Sequence, residues 1–467
     1  MSAGPMTPDI LANNVMRLPG VEQTTVQLNP DMRSVSSGDF LNIDLPQTGE
    51  LMLREMYLMG DLTVKTTDGS TASGAVSNGA LRIPEDSMSL VNSIRVEAGG
   101  EVIDGQQTHH ASFLQRVRKQ MHQHKDDKQE DFVSTNDGFN PDTLNSNNHE
   151  QKRLYFKDFP GLLSYSETVP EVIDLSLLPK MSIQMQFEQA KDVILPIIET
   201  TGEYSSVVDG LPYTYQLDNL RFVATFLNTK ETPIGSITRQ NLSAGAPVEY
   251  LFSRYITREL GKGGHVNGGI SRFDITSESL DWLGATFRPV GNLRKNIHYE
   301  KFSKPFTGGY SYDKHISGFN RLTSAPVAQS ENDDATQIKT HAEDRGAGDN
   351  EYIRGFYYRF NGANLPLFTM SAPEAWQITK TDKETRHDVL SMGDYLRNHW
   401  LGLQRFTPPN MSKRVQSGLN CKGLRAGIEF ITEANSQAHE SEYSLFMVAK
   451  CSSTLVVNPN QQVYVRI

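Results

Sequence analysis

The stretch Met181-Ser-Ile-Gln-Met-Gln-Phe187 decides the fold. Met181, Ile183, Met185 and Phe187 share one face of an extended chain, and Ser182, Gln184 and Gln186 share the other. Apolar residues at every second position mark a strand with one face in a core and one in water, whereas a helix needs a 3.6-residue period. Comparable runs recur on both sides: Phe40 to Leu45, Met52 to Val64, Leu90 to Val96, Leu217 to Leu227, Val248 to Ile256, Leu280 to Val290, Tyr352 to Phe360, Leu424 to Ile431 and Tyr443 to Val457. Turn formers separate them, with 36 Gly and 22 Pro spread along 467 residues. About ten strands with little helix between them predict an all-β chain of sandwiches or barrels rather than a parallel α/β sheet. At ~150 residues per domain the length suits two or three domains.

A few short helices interrupt the strands. Thr7-Pro8-Asp9 supplies a cap and a proline at the first helical position, Leu11, Val15 and Leu18 form a stripe, and Pro19-Gly20 stops it. Ala111 to His122 places Phe113, Val117 and Met121 at helical spacing, and Leu390 to Gln404 does the same with Met392, Leu396, Trp400 and Leu403. Ser371 and Glu374 bracket Pro373 as a capping box, which predicts a short helix from Pro373 to Thr379.

The two halves repeat one order of features. In the first, the strand at Val91 to Glu97 meets Gly99-Gly100, then an extended piece, then the helix around Ser112. In the second, Tyr352 to Phe360 meets Asn361-Gly362, then Ala363 to Leu367, then the helix after Ser371. Both dipeptides favour tight hairpin turns because Gly and Asn tolerate positive φ. Each half closes on a long apolar strand, Leu217 to Leu227 and Ser453 to Ile467. The reading is a diverged duplication joined near Asn228 to Pro247: an arm at 1–29, a first unit at 30–228, a linker at 229–247 and a second unit at 248–467.

Charge and cysteine content remove several function classes. The net charge is −10, the wrong sign for a protein that coats nucleic acid by neutralising phosphates. Two segments, Met121 to Glu150 and Ser330 to Glu351, each net −5, together the whole charge of the chain, and read as solvated loops. Two cysteines, Cys421 and Cys451, make neither a disulfide framework nor a cysteine-rich metal site. No run of ~18 apolar residues is present. The start, Met1 to Pro8, has no basic and apolar leader, so synthesis in a reducing cytoplasm is expected.

The search for chemistry is nearly empty. There is no Gly-x-Ser-x-Gly elbow, phosphate loop or His-Glu-x-x-His pair. Gly261 to Gly269 is glycine-rich without dinucleotide or phosphate-loop spacing, and reads as a loop between strands. His122 and His124 with Asp126 and Asp127 are neighbours in sequence, whereas a metal needs ligands converging on one point. Asp137 to Asp142 does not match a calcium loop. Asn241-Leu-Ser243 and Asn410-Met-Ser412 fit the glycosylation sequon by accident in a chain without a leader. Trp282 and Trp400 read as packing. No catalytic, cofactor-binding or metal-ligating residue is assigned, and no cofactor is expected.

The order of motifs resembles the double jelly-roll major capsid proteins. This is the lineage of membrane-containing tailless bacteriophages, adenovirus hexon, virophages and large nucleocytoplasmic DNA viruses. Gly38-Asp-Phe-Leu-Asn-Ile-Asp-Leu-Pro46 and Met56-Tyr-Leu-Met-Gly-Asp-Leu-Thr-Val64 are similar to the opening strands of that family. Leu90 to Asp104 is similar to its strand–turn–strand before a helix. Ser277 to Arg288 and Tyr357 to Pro366 hold the matching places in the second half.

The resemblance implies two tandem eight-stranded jelly rolls, each a sandwich of two sheets. It implies a structural role in an icosahedral shell, not an enzyme, with three chains forming a pseudo-hexagonal capsomer. Its partners would be neighbouring capsomers, minor or vertex capsid proteins and, through the N-terminal arm, an internal membrane, with no specific nucleic-acid binding. The location would be the virion capsid, after synthesis in the host-cell cytoplasm. The helix from Thr7 to Leu18 is then expected on the inner face of the shell, and the two acidic segments on its outer face, away from the polyanionic genome. The rival reading is a secreted-type glycan-active enzyme or lectin-like binder on paired jelly rolls. That class predicts secretion, disulfides and a groove of acids and Trp. A minor or vertex capsid protein is a third reading, against which the duplication counts.

Overall fold

A computed structural model describes residues 22–66, 79–82, 87–105, 152–190 (without 158 and 166), 195–198, 213–228, 240–262 (without 241), 270–289, 353–370, 374, 377, 402–407, 418–432 and 443–467. The strands of the first half are β1 (Glu22–Leu28), β2 (Val35–Ser36), β3 (Phe40–Asp44), β4 (Glu50–Thr66), β5 (Gly79–Arg82), β6 (Val91–Ala98), β7 (Glu101–Gly105), β8 (Lys152–Phe156), β9 (Val172–Asp174), β10 (Met181–Phe187), β11 (Leu195–Ile198) and β12 (Tyr213–Asn228). Those of the second are β13 (Val248–Lys262), β14 (Ile270–Asp274), β15 (Leu280–Pro289), β16 (Ile353–Phe360), β17 (Ala363–Met370), β18 (Gly402–Arg405), β19 (Arg425–Thr432), β20 (Tyr443–Val457) and β21 (Val463–Arg466).

The eight strands β13 to β20 form two antiparallel sheets. Numbered one to eight, they lie in the orders 1-8-3-6 and 2-7-4-5. The first half repeats both orders. There β1 and β2 together are strand one, followed by β3, β4, β6, β7, β8, β10 and β12, giving β1-β12-β4-β8 and β3-β10-β6-β7. This connectivity is the double Greek key of a jelly roll, here made twice. β5 and β11 form a separate ribbon on the first barrel, β9 adds to β4, and β21 adds to β20.

The alternation in the sequence is the alternation of the core. Met181, Ile183, Met185 and Phe187 on β10 are buried while the residues between them are half-exposed. They pack with Leu41 and Ile43 of β3, Ile94 and Val96 of β6, and Leu58 and Phe222 from the facing sheet. Phe156 meets Phe187 edge to face at 5.9 Å between ring centroids. Each such fully buried side chain contributes on the order of 1.5–3 kcal/mol. Gly99 and Gly100 have φ of 62° and 88°, and Asn361 and Gly362 have 47° and 90°, so both hairpins turn through left-handed pairs as their composition predicts.

Three readings need correction. Gly402–Arg405 is not the end of a helix: it is β18, paired with Trp282 to Ala285 of β15. The closing strand is not continuous to Ile467, because a turn at Asn458 to Gln462 folds β21 back on β20. Residues 1–29 are not all arm, because Glu22 to Leu28 pair with Asn228 to Phe222 of β12. Glu374 and Gln377 are helical. The helices at Thr7 to Leu18 and Ala111 to His122, residues 390–401 of the third, and both acidic segments lie outside the described residues.

Candidate functional site at the seam between the barrels

No residue was assigned to a site from sequence, and among the described residues no three His, Cys, Asp or Glu converge as a metal site. His122, His124, Asp126, Asp127, the Asp137 to Asp142 stretch, Asn241, Asn410 and Trp400 lie outside the described residues. Gly261 and Lys262 continue β13 rather than opening a loop. Trp282 is buried against Tyr255 at 6.1 Å between ring centroids, with Leu403, Phe446 and Val448 around it. Cys421 and Cys451 are buried free thiols. Among the described residues no helix is long and apolar enough to cross a membrane.

One buried polar cluster lies at the joint between the two barrels. The segment from Gly161 to Pro170, between β8 and β9 of the first barrel, lies along β13 of the second. Val169 and Leu251 exchange both backbone hydrogen bonds, at 2.7 and 2.9 Å. The Tyr250 hydroxyl accepts from the Asp174 amide at 3.1 Å. Tyr250, Phe252, Leu455 and Val457 of the second barrel belong to the same core cluster as Leu51 and Ile173 of the first. Val463 and Val465 of β21 pack against that core as well.

Charged groups are buried in this joint. Glu167, almost fully buried, accepts a hydrogen bond from the Tyr255 hydroxyl. The Lys450 ammonium lies 3.8 Å from the same carboxylate oxygen. Asp104 on β7 accepts the Leu162 amide at 3.1 Å, and Thr168 donates to the Leu162 carbonyl at 2.9 Å. Burial raises the Asp104 pKa to about 6, the Leu162 amide and the positive field of Arg254 oppose that rise, and Glu167 adds to it. The groups come from β7, the 161–170 segment, β13 and β20, so no local pattern could have announced them. What the arrangement does is lock two barrels into one unit.

The architecture therefore defines a class: two jelly rolls of identical strand order, fused through a buried polar and apolar seam. No protein-family model matches the chain, and no curated protein matches it. Solved structures do. VP54 of PBCV-1, fitted into a reconstruction of the virophage Sputnik, superposes with a TM-score of 0.59 at 14% identity, over 96% of this chain and 97% of that one. The Faustovirus major capsid protein gives 0.57 at 10%, over 97% and 94%. A chain of the Sputnik virophage gives 0.53 at 9%, over 100% and 93%. At these identities the likeness establishes the fold, and the fold is the double jelly roll expected from the motifs.

Proposed function

We propose that this chain is the major capsid protein of a tailless icosahedral DNA virus, with three copies forming a pseudo-hexagonal capsomer. The observation that carries the proposal is the repeated strand order in two barrels fused by a buried seam. Three such chains set six like barrels around one axis, which suits a six-neighbour position in a shell. The likeness to the Faustovirus major capsid protein and to a chain of the PBCV-1 capsid over nearly the full length of each supports the reading. The role is structural rather than catalytic, in keeping with a buried charged cluster that joins the two barrels.

The proposed division takes 30–228 and 248–467 as the barrels and 229–247 as the link, with β1, from the preceding arm, completing the first-strand position of the first barrel. Neighbouring capsomers and minor or vertex proteins are the proposed partners, in a virion whose proteins are made in the host-cell cytoplasm. The contacts of a closed three-chain ring are heterologous, and a permanent interface of this kind buries over ~2,000 Å². Sedimentation of the purified protein at micromolar concentration tests the reading. A particle of three chains, each 52.2 kDa, is expected. A monomer that cleaves or binds glycans would instead favour the enzyme or lectin reading.

A further inference from the structure

We infer, on the three-chain reading above, that the outward face of β4, β8 and β12 on the first barrel is a cationic docking surface, and that its occupant is an acidic face of a second copy of this chain.

The face is built by the same alternation that builds the core. Met56 and Leu58 on β4, Leu154 and Phe156 on β8, and Phe222 and Ala224 on β12 are buried in the first barrel. The residues between them therefore point away from that core. Val223 lies opposite Tyr57, and Met59 lies opposite both Arg221 and Tyr155. Tyr57, Met59, Tyr155 and Val223 are half-buried, and they form an apolar and aromatic stripe where a sheet facing only water would carry polar side chains. Tyr57 and Tyr155 meet edge to face at 5.9 Å between ring centroids. Tyrosine and methionine beside arginine is the composition of an interface centre. On the second barrel the face turned away from the core is closed: Tyr255, Trp282, Leu403, Phe446 and Val448 are buried there.

Cations rim the stripe. Asp61 accepts from Nε of Arg153 at 3.0 Å and from Nδ2 of Asn219 at 2.9 Å, so it answers one of them. The Arg153 side chain is nonetheless 56% exposed, and Arg221 is exposed as well. The Lys157 ammonium stands 5.9 Å from the centroid of the Tyr57 ring. Three cations thus stand against one carboxylate, while the neighbouring Arg54 and Glu55 cancel. This excess is opposite in sign to the net charge of −10 on the chain, so a second copy supplies the complementary field. The same excess keeps the face from meeting itself, because like charges placed opposite one another repel. The contact is then heterologous, which is the kind a closed ring of three copies needs.

Arg221→Glu with Lys157→Glu reverses the rim while keeping the Arg153 partner of Asp61 and every core side chain. Arg221→Gln with Lys157→Gln removes the same charges without reversing them. Lys180→Glu with Lys422→Glu, at exposed side chains elsewhere, matches the net charge of the reversed variant and serves as the control. Sedimentation over a concentration series is expected to show self-association weakened on the order of a hundredfold in the reversed variant and less in the neutral one. The control is expected to remain at three chain masses with the unaltered protein, and circular dichroism to show the same β spectrum in all four. A folded rim variant that associates like the unaltered protein overturns this contact and leaves the capsomer reading standing. So does equal weakening in rim variant and control, which would assign the effect to net charge alone. Heparin binding that is lost in the rim variants while self-association persists also overturns it, giving the face to an anionic polysaccharide. Dimers of the unaltered protein that the rim variants alone lose would keep the contact and overturn the three-chain reading, and an unaltered protein that is monomeric overturns both.

Discussion

A β-carbon built on Gly161 would lie 1.6 Å from Oδ2 of Asp104. The same oxygen accepts the amide of Leu162, so the turn that opens the 161–170 segment is seated directly on the β7 carboxylate. Gly161 has φ of 73°, a left-handed backbone that side chains rarely adopt. Two constraints therefore meet at one residue, and both exclude any side chain.

Gly161→Ala is accordingly expected to destabilise the protein by roughly 3 kcal/mol, from left-handed strain and the displacement of a packed group. Urea unfolding followed by tryptophan fluorescence measures it. A midpoint unchanged from the parent protein would mean that the turn and β7 are not held as described.

Asp104 makes stability depend on pH with a definite sign. Its folded pKa is raised from 3.8 to about 6, so the folded chain holds a proton there that the unfolded chain has released. That contribution is full below pH 3.8 and is lost as pH rises through 6, an effect of roughly 3 kcal/mol. Asp104→Asn keeps an acceptor for the Leu162 amide and cannot titrate. The stability of the variant relative to the parent should therefore grow from pH 4 to pH 7. A difference that shrinks over that range would refute the assignment.

Lys450 and Glu167 should behave as a buried pair. Lys450→Met removes the ammonium from a carboxylate that stays buried, which is expected to cost ~3 kcal/mol. Lys450→Met combined with Glu167→Gln should recover much of that loss, since an amide still accepts from Tyr255. Thermal unfolding of the two single variants and the double variant yields the coupling, and additive losses would show that the pair does not interact.

The two thiols should be silent in the native protein. Burial raises Cys421 to about 11 and Cys451 to about 12, so neither is a thiolate near neutral pH. A thiol reagent at pH 8 is expected to label no cysteine until urea unfolds the chain, and then to label both. Fast labelling of the folded protein would contradict their burial.

Legibility in the sequence followed the strength of the local signal. Met181 to Phe187 coincides with β10 because four core side chains at period two leave one possible face. The dipeptides Gly99-Gly100 and Asn361-Gly362 marked their hairpins because few other residues tolerate the backbone they need. Lys152 to Phe156 and Ile270 to Asp274 carry no comparable signal, being short strands without a distinct alternation. Leu403 looked helical through its spacing from Trp400, Leu396 and Met392. Pairing with β15 holds it extended, an example of tertiary contact overriding a local period.

By itself, then, the sequence determined that the chain is all-β, that its halves repeat one plan, and where several turns must fall, since each is written in the spacing or backbone tolerance of adjacent residues. The tertiary structure alone decided which strands pair and how the barrels join. Asp104, Glu167, Arg254, Tyr255 and Lys450 come from four segments spread over most of the chain, and no periodicity links them. Their meeting is selected by what the fold can bury together, because a charge in a core is tolerated only beside a partner that the rest of the chain must bring to it.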